Sequence, residues 1–195
     1  MKKLGYIKKE LTKLYGKEVT DTITTLAQKH YENCLLLCKD ASAGELTHLE
    51  NTILPTVSFY KALLETDKEN AYQHTYAIIV SLCKKGAAVL NTALKLPGMK
   101  SLFMKLLPKM AVSMFGRDCG FDYENDKATK RILQMDMTVC PYVKYAKLFG
   151  VEELTAVFCE SDFATYGSMP GIAFERTQTL GTGGHKCDFK FSRID

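Results

Sequence analysis

RILQMDMTVCPYVKYAKLFGVEELTAVFCESDFATYGSMPGIAFERTQTLGTGGHKCDFKFSR, residues 131–193, holds three of the seven cysteines and both of the cleanest strand patterns in the chain. In 131–139, Leu133, Met135, Met137 and Val139 alternate with Gln134, Asp136 and Thr138, the period of a half-buried strand. Cys140-Pro141 ends the pattern. Proline suits the first helical position, so Cys140 becomes the N-cap of a short helix over 141–149, closed by Gly150. A second helix covers 151–166, with Cys159 and Asp162 three apart on one face. Strands over 172–180 and 186–193 then flank Gly181-Thr182-Gly183-Gly184, which reads as a hairpin turn. His185, Cys187 and Phe189 share one face of the last strand, and Lys186 and Asp188 the other. The order is strand–helix–helix–strand–strand.

Upstream the pattern is helical. Residues 2–39 form a helix bent near Gly16, with Leu4, Ile7, Leu11 and Leu14 as its stripe. A loop over 40–44 leads to a helix over 45–54, and Pro55 bends or restarts it over 56–65. His48 there faces a cleft or is a hydrogen-bonded structural histidine. Residues 67–70 open the next helix with acids in its first turn, and it runs to about residue 85. Residues 115–130 read as loop. The fold class is therefore α+β: a helical N-terminal two-thirds on a small three-stranded antiparallel sheet. The chain is expected to be one domain over 1–195, with a mainly helical part (1–125) and an α+β part (126–195).

Composition narrows the function classes. A net charge of +4 is too small to imply nucleic-acid binding. The start of the chain lacks an apolar export signal, and no run of about 18 apolar residues appears, so no membrane partner is expected and the setting is cytoplasmic. Seven cysteines, an odd number without framework spacing, read as reduced thiols. No oligomer is assigned. Residues 71–117 contain seven Lys or Arg and no acid. Met99, Leu102, Phe103, Leu106, Leu107, Met110 and Met114 form a stripe there, with Lys100, Lys105 and Lys109 off it. Three readings stand: a core stripe with solvated lysines, a wall or lid for an anionic substrate, or a face on an anionic membrane.

The chemistry-bearing residues gather at the C-terminal end. Cys140 at a helix N-terminus feels the positive end of the dipole, which favours a reactive thiolate; the alternative is a small core residue. Cys159 and Asp162 can activate water or hold a ligand. With His185 and Cys187 they make a set whose softness suits a divalent metal such as zinc, a possible cofactor. Arg176 has the planar fork that fits a carboxylate, or pairs on the sheet surface. Glu175 points to the opposite face.

Cys140-Pro141, FCESD at 158–162, FERTQTL at 174–180 and CDFKFSR at 187–193 resemble, in that order, the L-2-amino-thiazoline-4-carboxylic acid hydrolase family. ILPTVSFYKALLE at 53–65 is similar to the family's segment of Leu-Pro, small residues, aromatic-Tyr and Ala-Leu, and the resemblance runs from about Leu4 to Arg193. It implies hydrolysis of a carbon–nitrogen or carbon–sulfur bond in a cyclic amidine that carries a carboxylate. Such a substrate needs a proton donor, a nucleophile for the central carbon and a cation for the carboxylate. Asp162 would serve as acid or base and Cys140 or Cys159 as nucleophile. Arg176, with Glu175, would bind substrate, and Cys187 and Asp188 would support. His185 is not part of the family pattern. A non-catalytic small-molecule-binding or sensor domain is the alternative.

Overall fold

The computed structural model describes residues 2–194, without the side chains of residues 2–4 and of Asn125; Leu4 of the first stripe therefore lies outside the described side chains. Helix α1 (Lys2–Leu36) buries Ile7, Leu11, Ile23, Ala27 and Cys34 along one side. It kinks at Gly16, where φ 74° and ψ 175° suit glycine and strain any side chain. Helix α2 (Ala43–His48) starts in a reciprocal cap: Ser42 Oγ accepts from the Glu45 N–H at 3.1 Å, and the Glu45 carboxylate accepts from the Ser42 N–H at 3.0 Å. A π turn (Leu49–Ile53) leads into α3 (Leu54–Thr66). Pro55 in the first turn of α3 has no N–H to return to the preceding residues, which gives this turn its wide form.

Helix α4 spans Ala71–Leu94 and α5 spans Met99–Phe115. The acids expected in the first turn of α4 precede it instead; Asp67 is the C-cap of α3. A 3-10 turn (Arg117–Cys119) leads to β1 (Asp122–Ala128) and β2 (Ile132–Val139). Then come α6 (Pro141–Leu148), α7 (Leu154–Tyr166), β3 (Ile172–Glu175) and β4 (Cys187–Arg193). The α+β class holds, but the sheet has four antiparallel strands in the order β1-β2-β4-β3. β1 lies in the stretch read as loop. DYENDKA is a solvated edge strand, so it carries no apolar alternation to reveal it.

The last two strands pair as expected, from Ile172↔Arg193 to Glu175↔Lys190. β3 stops short of residue 180, however. The Thr177 and Gln178 N–H groups both turn to Asp188 Oδ1 at 2.9 Å, and a further 3-10 turn (Leu180–Thr182) follows. A looped excursion replaces the hairpin turn, and it is this loop that enters the site.

Two apolar cores organise the packing, and they do not divide at residue 125. The first joins α1, α2 and α3 and the start of α4 to α6 and α7, through Tyr145, Phe149, Leu154, Val157 and Phe158. The second joins the end of α4 and α5 to the sheet, through Leu94, Met104, Leu107, Met135, Met137, Ile172 and Phe191. Each core thus takes elements from both parts of the chain. Tyr142 packs against both.

The apolar segment 71–117 also differs from its reading as a core stripe. Met104, Leu107 and Ala111 are buried, while Leu102, Leu106, Met110 and Met114 face out. α4 is long and apolar enough to cross a membrane by length and composition, contrary to the reading of the sequence. In this fold it packs on α3 and α7 and buries Thr75, Ile78, Ile79 and Ala87.

Candidate active site

One end of the sheet gathers the chemistry. The pair Met137↔Cys187 sets the start of β4 against the end of β2. Cys140, the residue directly after β2, caps α6 in extended conformation, with Pro141 as the first helical residue. Helix α7 crosses this end and presents Cys159, Asp162 and Tyr166 at i, i+3 and i+7. The loop after β3 brings Arg176, Thr179 and Gly181 against α7. Thr155 Oγ1 donates to the Gly181 carbonyl at 2.8 Å, which pins the loop to the helix. A Cβ on Gly181 would stand 2.7 Å from Cys159 Sγ, so glycine is what lets the loop and the thiol meet.

Asp162 and Arg176 form the central pair. Arg176 Nη1 donates to Asp162 Oδ2 at 2.8 Å and to the Cys159 carbonyl at 3.0 Å. The guanidinium is 4% exposed and lies between the rings of Phe163 and Phe189, 4.7 and 5.7 Å from their centres. Asp162 keeps 29% of its side-chain surface accessible. Desolvation nonetheless dominates and raises its carboxyl to about 7 against the pull of Arg176. This carboxyl is partly reachable and yet strongly desolvated. It can exist as acid or base near neutral pH.

Three thiols surround this pair closely enough to influence one another. Burial pushes Cys140 up to about 12 and Cys187 up to about 11. The α6 N–H groups of Val143 and Tyr142 do favour the Cys140 thiolate, but less than desolvation opposes it. Burial thus opposes the thiolate that the helix N-terminus favours at Cys140. Cys159 is raised by burial too, and the Asp162 charge adds to this, while the Thr179 hydroxyl, the Arg176 charge and the Gly181 N–H favour its thiolate. Cys187 Sγ accepts from the Leu180 N–H at 3.3 Å.

Other expected site residues fall elsewhere. Glu175 is exposed and pairs with Lys190 at 2.7 Å on the outer face of the sheet. It turns away because alternate strand residues leave on opposite faces. His185 is exposed in the loop, ahead of β4 and not on it, where its N–H donates to Gln178 Oε1 at 3.0 Å. It does not join Cys159, Asp162 and Cys187, and among the described residues no group of three or more His, Cys, Asp or Glu is placed to hold a metal ion. Asp188 supports from outside: with both N–H bonds and the Thr177 hydroxyl it shapes the loop that carries Arg176.

Two tyrosines were not foreseen. Tyr142 and Tyr166 both interact with Asp162, and burial raises both, Tyr166 to about 12. Tyr142 also meets His48. The Met114 carbonyl accepts from His48 Nε2 at 2.6 Å, so the neutral ring offers Nδ1 to the Tyr142 hydroxyl at 3.0 Å. His48 is thus hydrogen-bonded structure, packed among Phe115, Phe121 and Tyr142. The place of Tyr142, two residues past Cys140 and on the first turn of α6, was the available signal. A depression of about 570 Å³ on α4, lined by Tyr76, Val80, Lys84 and Lys85 among others, contains none of these groups.

No curated protein and no solved structure matches the chain. The sequence profile of one family matches residues 47–191, a narrower span than the resemblance read from Leu4 onward, and it takes in every site residue named above. The chain belongs to the L-2-amino-thiazoline-4-carboxylic acid hydrolase family.

Proposed function

We propose that this protein hydrolyses a small cyclic amidine carboxylate such as 2-aminothiazoline-4-carboxylate. The observation that carries the reading is the desolvated but partly accessible carboxyl of Asp162, held by buried Arg176 near Cys159. One water is added at the carbon between nitrogen and sulfur, and one ring bond breaks there; nothing is oxidised or reduced. Cys159, as thiolate, attacks that carbon, and protonated Asp162 passes its proton to the departing ring heteroatom. Asp162, now a carboxylate, takes a proton from the water that releases the carbon from sulfur. The proton then returns to the thiolate or stays on Asp162 for the next cycle. Arg176 fixes Asp162, and its guanidinium is the cation this reading assigns to the substrate's carboxylate. Cys187 and Tyr166 lie near Asp162, and Cys140 lies near Cys159 and Cys187. Seven free thiols suit a reducing, cytoplasmic setting.

The test is turnover of 2-aminothiazoline-4-carboxylate by the purified protein, with and without added divalent metal, beside Asp162→Asn and Cys159→Ala. Loss of kcat of about 10²–10⁴-fold in Asp162→Asn is expected. Ligand binding without turnover under any condition would instead identify a sensor domain, and turnover unchanged in both variants would remove this site from the reaction.

A further inference from the structure

Helix α5 carries apolar residues on two neighbouring faces. Met104, Leu107 and Ala111 face the sheet and are buried. Leu102, Leu106, Met110 and Met114 recur every four residues on the other face and remain 42–47% exposed. This second stripe adjoins a face that bears lysines, and among the described residues nothing buries it. It continues past the preceding turn, where Leu96 is 59% exposed, to Val89 on α4 at 74%.

The charge around the stripe is of one sign. Residues 71–117 hold seven Lys or Arg and no Asp or Glu. At 100° per residue, Lys105 and Lys109 fall along one edge of the Leu102–Leu106–Met110 stripe. Both are exposed, and neither forms an ion pair among the described residues. The partner that fits is apolar within and anionic at its rim. A second copy seated here would bring the same lysines together with no acid on the face to answer them, so charge disfavours self-association.

We propose that the outer face of α5 docks on an anionic phospholipid surface. Leu102, Leu106, Met110 and Met114 enter the boundary between headgroups and acyl chains, and Lys105 and Lys109 extend along it to the headgroup phosphates and carboxylates. Unbranched methionines suit a surface that must adapt to mobile chains. This revises the expectation of no membrane partner, and it is independent of the reaction assigned to Asp162 and Cys159.

The experiment is co-sedimentation of the full chain with vesicles of phosphatidylserine and phosphatidylcholine, against vesicles of phosphatidylcholine alone. Binding to the mixed vesicles is expected, weakening in high salt. Lys105→Gln and Lys109→Gln should each lower the partition coefficient about fivefold, and the pair about 25-fold. Leu106→Gln with Met110→Gln should lower it about tenfold or more with the melting temperature unchanged, since both positions are exposed. The chain has no tryptophan, so Leu106→Trp supplies a single reporter whose emission should shift to the blue on mixed vesicles. Absence of binding, equal binding to neutral vesicles, or a dimer in light scattering that Leu106→Gln dissociates would each overturn the proposal.

Discussion

Asp162 and its neighbours are where single side chains decide the behaviour. Folding raises the Asp162 carboxyl from 3.8 to about 7, so between those values the native state holds a proton that the unfolded chain has released. Stability on this account is fully present below the lower value, is lost as pH rises toward 7, and is level above it. Melting temperature should therefore fall more steeply over that interval in the wild type than in Asp162→Asn. In kinetics, the limb of the kcat/KM profile near pH 7 should vanish in the same variant. The thiols should also separate. Limiting iodoacetamide at neutral pH should modify Cys159 ahead of Cys140, because Arg176, Thr179 and the Gly181 N–H favour the Cys159 thiolate while burial pushes Cys140 to about 12. Peptide mapping of the native and the denatured protein reads this directly, and equal labelling in the native state would return Cys140 to the role that its helix-capping position suggested.

At the level of elements, the loop between β3 and β4 matters most. It leaves the sheet because Asp188 captures the Thr177 and Gln178 N–H groups, and it docks on α7 because Thr155 holds the Gly181 carbonyl. Gly181→Ala would drive a Cβ to within 2.7 Å of Cys159 Sγ and 3.0 Å of Thr155 Cβ. A loss of about 1–3 kcal/mol is expected from such overpacking, read by urea denaturation, with turnover reduced because Cys159 must move. Gly16 in α1 offers a contrast far from the site. Its backbone conformation strains any side chain, so Gly16→Ala should cost about 1–3 kcal/mol and leave turnover of the remaining folded protein unchanged. In the sequence a Gly in a long helical pattern announced the bend. The docking of Gly181 was not announced, because a glycine-rich run between strands looks the same whether it turns tightly or wanders into a site.

Across the whole molecule, the two cores share elements, and Tyr142 packs on both. Tyr142→Ala should cost about 3–5 kcal/mol as a large-to-small change in a core, and it should separate near-ultraviolet and far-ultraviolet melting curves that coincide in the wild type. Tyr142→Phe, which keeps the ring and removes the hydroxyl from His48 Nδ1, should cost about 1 kcal/mol and keep the curves together.

What the sequence by itself determined is local. The strand over 132–139, the Cys140-Pro141 junction, the three-residue step from Cys159 to Asp162 and the ordered family segments are all properties of neighbouring residues, and each appears in the fold, although Asp136, read as outward, is buried against Lys186 and Val139, read as inward, is exposed. The tertiary structure decided the rest. It chose which side of α5 meets the sheet, because both sides are apolar and only the position of a partner distinguishes them. It made an edge strand of the polar DYENDKA, because backbone pairing with β2 requires no apolar side chain. It also set burial against the thiolate that the helix N-terminus favours at Cys140. A helix N-terminus is legible in sequence, whereas the desolvation that outweighs it comes from residues far along the chain, folded around the thiol.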